Sequence, residues 1–386
     1  MEQPSLDNIL NDEMEQAKIA NNQRWLMRGY LGLLALAVVS YLLIFLIIGR
    51  DPRPRFKEKY WRDIPTAFLS PSFGIPYDLH PMVVSYNYSD ESLGTDDFTA
   101  QMLYLAQKKY VTLEKLPGNQ YQLHRNPDAL ITDPIDQRAM SLLFDRVANK
   151  SDTLRLADLE EYARNYPNSF EKTWDRWIEA VSKQAADVKL IDSRKSTIST
   201  WMLMFALFVF IAGAIVSYIA LKEGLSVFFP LVTSATGLLM IPFAWLTRSR
   251  TPAGAELYAY TKALRNWLED FTNLEERPIT DVTVWGHFMM YAVMFDMSEN
   301  VLEGLRTYAP EVLNSPELSS TTSWMGYDRS LGTFEHQGMS AISSFGDTFS
   351  SSMGAVRAAS SDSGGGGGGF SGGGGGGFGG GGGGAR

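Results

Sequence analysis

Three stretches break the mixed polar and apolar texture of the chain: residues 29–49, 201–221 and 225–246 hold no charged side chain. Each is long enough to cross a hydrocarbon core of about 30 Å at about 1.5 Å per residue, so each predicts a transmembrane helix. Only Lys222, Glu223 and Gly224 separate the second from the third, which predicts a tight helical hairpin over 201–246. Gly213 and Ser217 lie four apart on one arm, and Thr233 and Gly237 four apart on the other. Small faces of this kind let helix backbones approach closely.

Between the first and second runs the periodicity is that of a folded soluble segment. Residues 50–78 are a basic connector whose Pro52, Pro54, Pro65, Pro71 and Pro76 stop the membrane helix from continuing. From 79 the stretch HPMVVSYNY predicts a short helix. A second helix follows, with Asp96 or Asp97 as N-cap and Phe98, Met102, Leu103 and Leu105 on its apolar stripe. The period then changes: YVTLEKL and QYQLHR alternate on either side of a turn at 117–119, which reads as a β-hairpin. Helix followed by hairpin is the second half of a winged-helix unit. Beyond it, DPIDQRAMSLLFDRVA places Ala139, Leu142, Leu143 and Val147 on one helical face, DTLRLADL leads into another helix, and 170–186 makes a third. The region 79–198 therefore reads as winged-helix-like, in one unit or two.

After the hairpin, residues 250–318 predict amphipathic helices. One carries Leu257, Leu264 and Phe271 at one seven-residue spacing and Tyr260, Trp267 and Leu274 at another. The next carries Trp285, Phe288, Ala292, Phe295, Leu302 and Leu305. These helices are expected to pack on each other or on the middle segment, the alternative being a coiled coil with another chain. From 321 the chain is rich in serine and glycine, and 18 of the 21 residues from 364 to 384 are glycine. Little core can offset the cost of ordering such a segment, so 321–386 is expected to be a disordered tether of about 45 Å mean reach. Phe370 and Phe378 are its isolated apolar points. The GxGxxG pattern within it has neither a strand before it nor a helix after it, so it predicts no phosphate cradle.

Charge sets the orientation. Near the span ends, twelve basic residues lie on the side shared by the middle segment and the C-terminus (Arg50, Arg53, Arg55, Lys57, Lys59, Arg62, Lys189, Arg194, Lys195, Arg248, Arg250 and Lys262). Four (Lys18, Arg24, Arg28 and Lys222) lie on the other. Lys and Arg near span ends are retained in the cytoplasm. Residues 1–28 are therefore expected to be a short extracytoplasmic segment ahead of an uncleaved anchor, and the middle segment and tail to be cytoplasmic. The basic connector suits anionic headgroups of the lipid bilayer.

The net charge of −9 argues against nucleic acid. Residues 60–198 hold 16 bases against 20 acids, and 248–320 hold 6 against 11. The candidate recognition helix, 98–109, offers only Lys108 and Lys109. The chain has no cysteine, which removes disulfides, thiolate metal sites and thiol catalysis together. His80, His124, His287 and His336 are scattered without metal spacing, so no metal, cofactor or catalytic residue is predicted. Glu160, Glu161, Glu275 and Glu276 are the only adjacent acid pairs that an enzymatic reading singles out, and paired glutamates on helices are ordinarily solvated. None of the spans carries the ionisable group that ion pathways use.

The segments GRDP after a span, LAQKKYVTLEK, the two-span hairpin, AELYAYTKALRNWLEDFTNLEERP, WGHFMMYAVMFDMSENVLEGL and the glycine tail together resemble the YciQ-like family of predicted bacterial membrane proteins. The resemblance runs from residue 49 to the end. It implies a membrane protein of this topology and carries no catalytic residue or cofactor. It also implies a large extracytoplasmic β-rich domain ahead of the first span, where this chain has only residues 1–28.

The expected fold is thus a membrane protein, mainly α with small β-hairpins: three transmembrane helices, a cytoplasmic winged-helix-like α+β region and a disordered glycine-rich tail. Its expected function is that of a membrane-anchored protein-interaction or regulatory module with a protein partner on the cytoplasmic side and scope for a homo-oligomer. The alternatives are a membrane-associated enzyme, a membrane-tethered DNA-binding regulator and an oligomeric transporter component.

Overall fold

In the computed structural model the described residues are 6–55, 79–117, 120–222, 227–247, 250–269, 282–308 and 341–362, with short pieces between 310 and 334. In chain order the elements are α1 (Leu6–Ile48), α2 (Pro81–Tyr88), α3 (Thr95–Gln107), β1 (Val111–Leu116), β2 (Gln120–Arg125), α4 (Pro134–Met140) continuing as a π-helical stretch (Ser141–Val147), β3 (Thr153–Arg155), α5 (Leu156–Asn165) and α6 (Pro167–Asp187). There follow α7 (Ser193–Lys222), α8 (Phe228–Trp245), α9 (Pro252–Glu269), α10 (Val282–Met294), α11 (Ser298–Tyr308), the two-residue strands β4 (Tyr327–Asp328) and β5 (Thr333–Phe334), and α12 (Ala341–Asp362). They form two compact units, one of Met1–Asp51 with Asp192–Ser249 and one of Pro52–Ile191 with Arg250–Arg386.

The first unit is α1, α7 and α8. The stretches Tyr30–Ile48, Thr197–Lys222 and Phe228–Trp245 are long and apolar enough to cross a membrane. Helix α7 and helix α8 make the expected hairpin, and small residues sit at its seam. A Cβ on Gly237 would come within 2.7 Å of Phe210 Cα, while Ser234 Oγ donates to Phe210 O (3.1 Å). Helix α1 lies along α8: Tyr41 Oη donates to Met240 O (2.8 Å) and Tyr30 Oη to Phe229 O (3.4 Å). Both pairs are 199 residues apart, so the two helices run parallel in constant register. Odd-numbered spans must cross in one direction, and this pairing meets that requirement.

The second unit is a helical layer around α3 with a three-stranded antiparallel sheet, order β1-β2-β3, at one side. The expected hairpin is present, with Val111 opposite Arg125 and Leu116 opposite Gln120. Its inward residues Val111, Tyr121 and Leu123 are buried. Strand β3, which sequence alternation over three residues is too short to reveal, pairs Leu154 with Leu123. That pairing ties the segment after the hairpin into the same sheet. Helix α6 buries Phe170, Trp174, Trp177, Val181 and Ala185, a one-face series at helical spacing.

Helix α3 starts two or three residues earlier than expected. Its N-cap is Gly94, and Asp97 stands in its first turn, where Oδ2 accepts the Gly94 N–H (2.6 Å) and Oδ1 accepts the Ser85 hydroxyl. Phe98, Met102, Leu103 and Leu105 are fully buried, and so are Thr99, Ala100 and Gln101. The helix is enclosed on all sides instead of presenting one stripe.

The C-terminal helices pack on this unit. Leu257, Tyr260, Leu264 and Trp267 of α9 are buried, whereas Phe271 and Leu274 lie outside the described residues. The second predicted helix divides into α10 and α11, separated at Asp296, whose φ of 56° is left-handed. Trp285, Phe288, Ala292, Leu302 and Leu305 are buried as the pattern requires.

The expectation of disorder from residue 321 is overturned over Ala341–Asp362. These residues form α12, whose Ile342, Phe345, Phe349, Met353 and Val356 are buried. Phe349 stacks on Phe98 with ring centroids 4.4 Å apart and meets Trp174 at 5.3 Å. Spacings of three and four place these isolated apolar residues on one face, so a serine-rich segment of weak helix propensity is ordered by tertiary packing. Residues 363–386, including the glycine run, Phe370 and Phe378, lie outside the described residues.

Candidate functional site

Among the described residues, one buried polar cluster combines groups able to bind a ligand. It is built from three segments. His80 is the N-cap of α2, followed by Pro81 at the first helical position. Asp133 is the N-cap of α4, its Oδ1 accepting the Ile135 N–H (2.8 Å), and Asp136 lies one turn on. Gln101 enters from the centre of α3. The ligand atoms of His80, Asp133 and Asp136 all lie within 4.8 Å of one another.

The hydrogen bonds fix each group's role. Met82 N–H donates to His80 Nδ1 (3.2 Å), so the proton of the neutral ring sits on Nε2 and points to Asp136 Oδ1 (3.1 Å). Gln101 Nε2 donates to the same oxygen (2.7 Å). Gln184 of α6 reaches Asp133, its Nε2 3.5 Å from Oδ2. The amide oxygens of both glutamines, Gln101 Oε1 and Gln184 Oε1, are buried without a hydrogen-bond partner. His80 also meets the Tyr104 ring edge-on at 4.7 Å. Burial, followed by the negative field of Asp136 and Asp133, pushes the Tyr104 phenol above its ordinary range, and the same causes act on Tyr110. The cluster thus sets two carboxylates against His80 Nε2 and the amide nitrogens of Gln101 and Gln184, with the two amide oxygens left over.

The residues singled out from sequence do not gather here. Glu160 Oε1 accepts from Arg164 Nη2 one turn along α5 (2.6 Å) and Glu161 is exposed, an arrangement of surface helix charges. Glu275, Glu276 and His336 lie outside the described residues, as does the side chain of His287. His124 pairs with Glu114 across the exposed face of the hairpin (2.7 Å). Lys108 lies over the Tyr104 ring (5.3 Å), and Lys109 ends the helix with φ of 59°. The sequence pattern set His80 aside with the other histidines and did not single out Gln101, Asp133 or Asp136, because only the two aspartates have a local spacing and the other members come from distant helices. The one available signal was the pair of helix starts, His-Pro and Asp-Pro, each with a side chain free to cap.

A second buried charge has a structural role. The Arg250 guanidinium donates to Asn87 O (2.8 Å) and Tyr88 O (2.9 Å), pairs with Asp90 (2.6 Å) and lies over Tyr258 (4.1 Å). It thereby satisfies the carbonyls at the end of α2. Beside it, Ile191 bridges to Arg250 and Thr251 N–H donates to Leu190 O (3.0 Å), so the points where the chain leaves and re-enters this unit are adjacent.

Residues 57–305, nearly two thirds of the chain, match a family described as predicted membrane protein (DUF2207) C-terminal domain. No curated protein and no solved structure matches.

Proposed function

The chain belongs to the DUF2207, or YciQ-like, family of predicted membrane proteins, and we propose that it is a multi-pass inner-membrane protein whose soluble, winged-helix-like unit faces the cytoplasm and binds a protein partner in an interaction or regulatory role. The observation that carries this reading is the burial of α3. A helix that reads duplex DNA lies in the major groove with its side chains on base edges. The corresponding helix here is enclosed by the helices around it. The arginines of the sheet side also have acidic neighbours, Arg125 with Asp145 (3.4 Å) and Arg155 with Asp158 (3.0 Å). Paired charges of both signs suit protein recognition better than phosphate.

Lysine-directed cross-linking in intact membranes tests the reading, because Lys109, Lys115, Lys150, Lys172 and Lys183 are exposed. Recurrent links from these lysines to one other polypeptide are expected. Links confined to the chain itself would overturn the interaction role.

A further inference from the structure

We propose that Asp133, Asp136, Gln101 and Gln184 form an all-oxygen site for a hard divalent cation of the Mg2+, Mn2+ and Ca2+ class, with His80 as a positioning residue outside the ligand set. The inference goes beyond the interaction role and does not depend on it.

The first ground is charge. Asp136 is 2% exposed and Asp133 half-buried, with their ligand atoms inside the 4.8 Å cluster. Two carboxylates sharing a site repel each other, and a buried charge requires a partner. Among the described residues no lysine or arginine forms an ion pair with either of them. The neutral His80 ring supplies a hydrogen bond and no positive charge.

The second ground is independent of the acids. Gln101 is fully buried, and its amide nitrogen is bound to Asp136, which places its carbonyl oxygen within about 5 Å of that carboxylate by covalent geometry. That oxygen has no hydrogen-bond partner, and neither has Gln184 Oε1, whose amide nitrogen faces Asp133. Two unpartnered amide oxygens beside two carboxylates are the donors that hard cations take, since Ca2+ and Mg2+ bind carboxylate and amide oxygens.

The third ground separates this class from zinc. For His80 Nε2 to bind a metal its proton would have to move to Nδ1, where it would oppose the Met82 N–H and undo the cap of α2. The geometry therefore assigns His80 to hold Asp136 by donating to Oδ1, in the manner of an outer-shell partner. The ligand atoms that remain are all oxygen, the donor set that suits Mg2+, Ca2+ and Mn2+, whereas zinc sites draw on nitrogen and sulfur.

The test uses the full chain purified in detergent, stripped with EDTA and titrated with Mn2+ while the free-ion paramagnetic resonance signal is followed. One Mn2+ per chain is expected, displaced by Ca2+ or Mg2+. Asp133→Asn keeps an N-cap of equal quality, so the metal-free variant should unfold at the parent temperature while its Mn2+ affinity falls by about tenfold or more. Gln101→Leu gives a second variant, with Mn2+ affinity again reduced. The proposal is overturned if Mn2+ fails to bind at millimolar concentration, which would leave a hydrated polar network only. It is equally overturned if Asp133→Asn binds as the parent does, or if Zn2+ binds more tightly than Mn2+ in a manner abolished by His80→Asn.

Discussion

Gly213 packs directly on Ser234: a Cβ placed on Gly213 would come within 2.8 Å of Ser234 Cα and closer still to its nitrogen. The hairpin of α7 and α8 is therefore held by backbone contact, which lipid-facing bulk cannot supply. Gly213→Leu should force the arms apart at about 1–3 kcal/mol. The chain has no cysteine, so a pair introduced at Ser199 and Ala244, where Ser199 Oγ reaches Ala244 O (2.9 Å), reports the hairpin unambiguously. The cross-linking yield of that pair should fall in the Gly213→Leu background. An unchanged yield would show that the contact does not hold the arms.

Helix α12 should behave as core and not as tail. Phe349→Ala removes a ring that touches Phe98, Phe170 and Trp174, and truncations of buried phenylalanine cost about 3–5 kcal/mol. Hydrogen exchange should find the amides of 345–356 protected in the parent chain and unprotected in this variant. Exchange at unstructured rates in the parent would restore the expectation of disorder.

Arg250 should matter for folding more than for orientation. Its guanidinium is buried against two backbone carbonyls and Asp90, and a buried charge-assisted hydrogen bond contributes about 1.5–3 kcal/mol. Arg250→Met should lower the unfolding temperature of the second unit while leaving the direction of the spans unchanged, because eleven basic residues remain on that side. Arg250→Lys should rescue only part of the loss, since an ammonium cannot reproduce the planar fork. Full rescue by lysine would reduce the role of Arg250 to charge alone.

Asp97 gives a pH dependence of defined sign. Burial raises its carboxyl from 3.8 to about 6, partly opposed by the hydrogen bonds from Gly94 and Ser85. Between about pH 4 and pH 6 the folded state thus binds more protons than the unfolded one, so this group makes stability fall as pH rises through that window. Two pH units correspond to about 3 kcal/mol at most. Asp97→Asn should flatten the denaturation midpoint across pH 4–6 relative to the parent. A parallel profile in the variant would assign the dependence to other groups.

The legible parts of the fold were those written in local period. The three spans need only apolar length, and the hairpin needs alternation and Pro117. Three residues of β3 carry no period, and α12 was hidden because serine and glycine dilute its five anchors below a compositional reading. The polar cluster was illegible for another reason: His80, Gln101 and Gln184 acquire meaning only when three helices bring the first two to Asp136 and the third to Asp133. Asp97 shows the same limit, since its pattern suggested a cap and its burial gave it a buried acid's behaviour.

The topology is the most exposed prediction. Leu190 and Thr251 are hydrogen-bonded and Ile191 bridges Arg250, so the chain returns to the second unit beside the point where it left. A stretch that starts and ends at one point on one side of a membrane must cross an even number of times, and α7 and α8 supply two crossings. The first span then separates residues 6–28 from that side, in agreement with the parallel run of α1 and α8. The twelve-to-four bias of basic residues predicts that this side is the cytoplasm. Reporter fusions after Lys150 and after Ser363 should both give a cytoplasmic signal, and a tag ahead of Leu6 should be reached by an impermeant label from outside. Opposite signals from Lys150 and Ser363 would contradict the Leu190–Thr251 pairing itself, whereas periplasmic signals from both would keep the fold and reverse only the orientation.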